Sequence, residues 1–149
     1  MEMKKHCRGA SGFTVMELIV TIAIAGVLMG VAVPSFMSLL PTLRLSSAAR
    51  QVATDLQLAR MKAISQNTQN TVTFVSGTYT FTVGSVSRNL NQLYPGITVA
   101  SVSSNPIFSP RGTTSNGAIV SITLSNGSAQ TRVCVKIVGQ VSIQDAACS

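Results

Sequence analysis

Two periodicities divide this chain. From Phe13 to Leu40 the run "FTVMELIVTIAIAGVLMGVAVPSFMSLL" is apolar on every face, and Leu18 to Val33 holds 16 residues interrupted only by Thr21. With its flanks the run can cross a bilayer, which takes about 20 mainly apolar residues. Beyond it, Leu45, Ala49, Val52, Leu56, Ala59 and Ala63 recur at alternating spacings of 4 and 3. They form one apolar stripe of an amphipathic helix, with Arg50, Arg60 and Lys62 mostly off it. Pro34 and Pro41 each remove a backbone donor and should bend or locally melt the helix. From about Phe13 to Gln66 the helix would be about 80 Å long at 1.5 Å per residue.

After Asn67 the period becomes two. "TVTFV" and "YTFTV" flank Ser76-Gly77 as a tight hairpin. "ITVASVS" follows the turn Tyr94-Pro95-Gly96. "AIVSITL" and "AQTRVCVKIV" flank Asn126-Gly127, a second hairpin signal. In that last strand Val133, Val135 and Ile137 should face one way, and Arg132, Cys134 and Lys136 the other. A short strand, "QVSI", follows Gly139. The fold class is therefore α+β, a long N-terminal helix packed on a C-terminal antiparallel sheet domain. The expected divisions are a leader at 1–12, an apolar helix at 13–43, an amphipathic helix at 44–66 and a sheet domain at 67–149.

Charge sharpens the apolar run. Lys4, Lys5 and Arg8 precede it, which leaves the N-terminus in the cytoplasm by the positive-inside rule and the chain beyond Leu43 outside the inner membrane. Between Phe13 and Leu43 the one ionisable side chain is Glu17. A secretory signal peptide cut near Gly30-Val31-Ala32, or a plain signal anchor, needs no carboxylate there. An acid at a membrane helix centre costs roughly 2.5–3.5 kcal/mol, and such a group is by default a functional one that needs a partner. No lysine or arginine lies between Arg8 and Arg44, but an α-amine created just before Phe13, on the same chain or a neighbour, could serve.

The leader ending in Gly12, then Phe13-Thr14-Val15-Met16-Glu17-Leu18 and an apolar helix, resembles the class III signal of type IV pilins and type II secretion pseudopilins. The resemblance implies cleavage between Gly12 and Phe13 by a prepilin peptidase and N-methylation of Phe13. It also implies that Glu17 pairs with the N-terminal amine of an adjacent subunit, and that Pro34 is the family's helix-kinking proline. "FSPRGTTSNGAIVSITL" with "RVCVKIVGQVSI" and a late Cys148 resembles the GspH/FimT-type minor pseudopilin domain, with Phe108, Pro110 and Gly112 as its Phe-x-Pro-x-Gly turn. That implies a minor subunit of a type IV pilus or type II secretion pseudopilus, in initiation or at the tip. Its partners would be other pilin or pseudopilin subunits, and its location the bacterial inner membrane, single-pass with a periplasmic domain, before assembly.

The remaining chemistry is sparse. Of three cysteines, Cys7 lies in the leader. Cys134 and Cys148 are left as an even pair that suits one disulfide in an oxidising compartment, about 3 kcal/mol for a loop of about 15 residues on the chain-entropy model; two unrelated thiols is the alternative. The one histidine, His6, falls in the leader. Asp55, mid-helix among basic residues, reads as half of a surface ion pair, and Asp145 lies in the tail. No metal site, cofactor or catalytic role is expected. Net charge is +7, and Arg111, Arg132 and Lys136 could contact phosphates, making a DNA-binding minor pilin for DNA uptake one alternative. DNA-linked members carry arginines directly after the strand-ending glycine, whereas Gly139 here is followed by Gln140-Val141-Ser142. A membrane-anchored periplasmic domain with some other partner is the other alternative.

Overall fold

The computed structural model describes residues 12–75, 77–81 and 87–148. The leader, with His6 and Cys7, lies outside them. The chain divides into two units, Met1–Ser38 and Leu39–Ser149, and one helix, α1 (Val15–Ser65), belongs to both.

In the first unit none of the helix's side chains is buried. The helical hydrogen-bonding pattern runs through Pro34 and Pro41 without a break, so the local melting allowed for at these prolines does not occur. Each removes one donor, and the flanking turns keep the remaining helix intact.

In the second unit α1 contributes the predicted stripe to the core. Leu45, Ala49, Val52, Leu56, Ala59 and Ala63 are all buried, joined by Ala48 and Ala53. The strands are β1 (Asn70–Val75), β2 (Thr78–Phe81), β3 (Ser87–Asn89), β4 (Thr98–Val102), β5 (Ile107–Phe108), β6 (Val120–Ser125), β7 (Gln130–Val135) and β8 (Val141–Gln144), with a one-turn helix, α2 (Leu90–Leu93), after β3. Tyr79, Leu90, Ile97, Phe108, Ile122 and Leu124 fill the core with the helix.

The strands form two antiparallel sheets, ordered β3-β2-β1-β5 and β4-β6-β7-β8. The first predicted hairpin is present, with Val75 paired to Thr78 and Gly77 at φ +80°. The second joins β6 to β7, with Ser125 paired to Gln130. There the Asn126 side-chain oxygen accepts from the backbone N–H of Ser128 (3.0 Å) and Ala129 (2.7 Å), so the asparagine organises a four-residue connection.

One expected orientation is corrected. Val133 and Val135 are both buried, but Ile137, expected on the same face, is 48% exposed. The strand ends at Val135, and the chain turns where the Gly139 N–H donates to the Lys136 carbonyl at 2.8 Å. Alternation cannot continue past the last ladder pair. Cys134, on the outward register, is nevertheless buried, because a disulfide to Cys148 covers it.

Candidate assembly site and the ties of the globular unit

The start of α1 is capped. The Thr14 carbonyl accepts from the Leu18 N–H at 3.1 Å, and its hydroxyl accepts from the Glu17 N–H at 3.2 Å. Thr14 is thus the N-cap and Glu17 the third helical residue, the spacing of a capping box. A carboxylate in the first turn also complements the helix dipole. The signal Thr-x-x-Glu stood in the sequence, so Thr14 belongs with Glu17 among the site residues. Capping leaves the carboxylate's charge unpaired: Glu17 is exposed and makes no ion pair among the described residues. Phe13 beside it is 80% exposed, and the large apolar residues that follow it are exposed as well. A helix apolar on all sides and unburied needs lipid or other helices around it.

Asp55 overturns its surface assignment. It is 3% exposed. Its Oδ2 accepts from the Tyr79 hydroxyl at 2.6 Å and from Gln51 Nε2 at 3.0 Å, and lies 3.1 Å from Arg88 Nε. The Arg88 Nε–H is not directed along a hydrogen-bond axis, so this last contact is an ion pair without a bond. The stripe period alone could not disclose this, because Tyr79 and Arg88 come from strands 24 and 33 residues away by the numbering. The cluster ties α1 to β2 and β3. Burial chiefly, then the hydrogen bond to Asp55, pushes the Tyr79 hydroxyl well above its ordinary value of 10.0.

A pH dependence follows. The unfolded chain releases the Tyr79 proton near its ordinary pKa of 10.0, whereas the folded chain retains it. Stability is therefore fully present below that pH and is lost as pH rises beyond it. Denaturant titrations of wild type and Tyr79→Phe at pH 8 and above pH 10 should show the wild type losing more stability over that interval. Parallel losses would contradict the assignment.

Arg60, read as lying off the stripe, makes the third tie. Its Nε–H donates to the Gly112 carbonyl at 2.7 Å and its Nη2 to the Val138 carbonyl at 3.4 Å. Gly112 and Gly139 both have positive φ, +80° and +78°. A Cβ on Gly139 would overlap the Gly112 carbonyl oxygen, and one on Gly112 would lie 2.8 Å from Ile64 Cδ1. The Phe-x-Pro-x-Gly turn and the strand-ending glycine thus meet on one helical arginine.

The other predicted residues are scattered. Cys134 and Cys148 are bonded, with Cα atoms 5.7 Å apart, which clamps the tail beyond β8 onto β7. Arg132 donates from Nη1 to the Asp145 carbonyl at 3.1 Å, so its head is engaged within the chain. Arg111 is exposed in the turn after Pro110, and Lys136 is half-buried where β7 ends. No observation gathers these three into a phosphate-binding site.

A capped, unburied apolar helix continuing into a helix packed on antiparallel sheets defines a pilin-like structural subunit. The family described as Type II transport protein GspH matches residues 48–140, and the prokaryotic N-terminal methylation motif matches residues 7–33. The chain belongs to the GspH family, and it is a subunit of the minor pilin and pseudopilin kind. Two crystal structures of the Pseudomonas aeruginosa (strain PAO1) type IV minor pilin FimU share the fold. The one in space group P65 has a TM-score of 0.55 at 15% identity, covering 67% of this chain and 92% of that one. The one in space group P21 has a TM-score of 0.56 at 16% identity, covering 67% and 87%. A comparison with curated proteins gave no match.

Proposed function

We propose that a prepilin peptidase cuts this chain between Gly12 and Phe13 and that Phe13 is then N-methylated. The subunit waits in the bacterial inner membrane on the apolar part of α1, with its globular unit in the periplasm. From there it enters a filament of the type IV pilus or type II pseudopilus kind as an initiating or tip subunit, α1 packing among the helices of neighbouring subunits. Glu17 pairs with the amine that cleavage creates on an adjacent subunit, and Pro34 gives the packed helix its bend.

One observation carries this reading. Glu17 is the one acidic side chain on the unburied apolar part of α1 and makes no ion pair among the described residues, inside a matched N-terminal methylation motif. A charge in such a place is tolerable only when paired. Pairing between chains turns the cost of burial into a force for correct register.

Intact-mass and N-terminal peptide analysis of the membrane-extracted protein tests the processing step. The expected chain starts at Phe13 and carries one added methyl group. A retained leader, or a new terminus near Ala32, would sink the proposal in favour of an anchor or a secreted domain.

A further inference from the structure

Beside the third tie the surface opens into a groove of about 530 Å³ between the end of α1 and the turn that leads into β8. Met61, Ile64 and Val141 are its apolar lining, and Arg60, Gln57 and Gln140 its polar lining. Met61 is 58% and Ile64 47% exposed, and in the adjoining turn Val138 is 62% exposed. Adjacent exposed apolar side chains with a polar rim are the mark of an interaction surface. The volume lies in the range, about 300–1,000 Å³, of sites that seat a ligand group.

Charge selects the occupant. The Arg60 guanidinium uses one N–H on Gly112 and one on Val138. Three of its five donors have no acceptor among the described residues, and no acidic side chain lines the groove. An apolar pocket beside a guanidinium with free N–H donors suits an apolar side chain next to a carboxylate. A second copy of this chain is a poor source. From Arg44 onward there are eight cations and two acids, Asp55 and Asp145. Asp55 is buried against Arg88, and Asp145 is engaged through its side chain by Thr131 and through its carbonyl by Arg132. Two such basic units repel one another.

The geometry points to this groove as the seat for a neighbouring, acidic pilin-like subunit, which inserts an apolar side chain flanked by a carboxylate between Met61 and Val141 and places that carboxylate on Arg60. The inference rests on the filament-subunit reading above and adds to it a partner of opposite charge and a surface that a second copy does not occupy.

The test uses the full chain expressed in its own host, with a benzophenone amino acid in place of Met61. After illumination the cross-linked peptide is sequenced by mass spectrometry. The expected adduct is an apolar peptide bearing Asp or Glu, from a different pilin-like chain. Gln57→Glu should lower its yield about tenfold by setting like charges face to face, and Gln57→Lys should not. Gln57 is exposed and takes no part in the ties of the fold. An adduct with a second copy, with lipid or with a small molecule, or no adduct, would overturn the inference. So would equal yields from the two Gln57 variants. A chain that co-purifies with other subunits but gives no adduct overturns the groove alone. A wild-type chain that co-purifies with none overturns the filament reading and the groove together.

Discussion

A chain carrying Glu17→Ala is expected to accumulate in the membrane yet fall at least about tenfold in co-purification with other subunits, a difference of about 1.4 kcal/mol or more. Two effects act in the same direction. Without the carboxylate the membrane-held state is relieved of part of a cost that reaches roughly 2.5–3.5 kcal/mol at a helix centre. The assembled state loses its intersubunit pair and leaves a neighbour's amine buried alone. Glu17→Gln separates this role from capping. Gln serves at the third helical position of a capping box as well as Glu does, so helix α1 should start unchanged while assembly still fails. If Glu17→Gln assembles normally, the residue is a helix cap and nothing more.

The largest loss of stability is expected from Gly139→Ala. An L side chain at φ +78° costs about 1–2 kcal/mol. Its Cβ would also overlap the Gly112 carbonyl oxygen, which already accepts from Arg60. Backbone on both sides leaves no flexible side chain to give way, so overpacking adds about 1–3 kcal/mol. The sum, about 3 kcal/mol, should lower Tm by about 10 °C or more. Gly127→Ala is the control. Its φ is +88°, but nothing lies within 4 Å of the added Cβ, so only the backbone cost of about 1 kcal/mol remains. Thermal unfolding of both variants in detergent decides it, and equal losses would refute the close-approach account.

How much was legible follows from how local each signal is. The stripe Leu45 to Ala63 repeats within one helix, and every member is buried. Ser76-Gly77 and Asn126-Gly127 connect adjacent strands, and both hairpins are present. By contrast, β5 has two residues, Ile107–Phe108, too few to show a period, and it exists because Asn70 and Thr71 pair with it. Ile137 was misplaced for a related reason. Alternation was extended across a turn whose position depends on Gly139 meeting Gly112, and these residues lie 27 apart by their numbers.

The candidate site divides in the same way. Glu17 and Pro34 stood out in the sequence because they interrupt a long apolar run, where any polar or helix-breaking residue is conspicuous, and Gly12 and Phe13 stood out through the resemblance of the motif that opens that run. Thr14 carried an equally local signal that needed only the spacing to Glu17. The groove and Arg60's place in it carried none, since they are assembled from the end of α1 and the turn before β8.

By itself the sequence determined what each segment is suited to: a helix for lipid or a filament core, a helix for a sheet, and strands with their hairpins. These are matters of side-chain period and composition, read over a few turns or pairs. Only the tertiary structure decided which polar residues are structural. Asp55 looked like a surface charge and is the buried acceptor of Gln51 and Tyr79. Arg60 lay off the stripe and ties the Gly112 and Val138 carbonyls to the helix. A charge's role depends on what the chain brings to it from afar, and a linear pattern contains no distances of that kind.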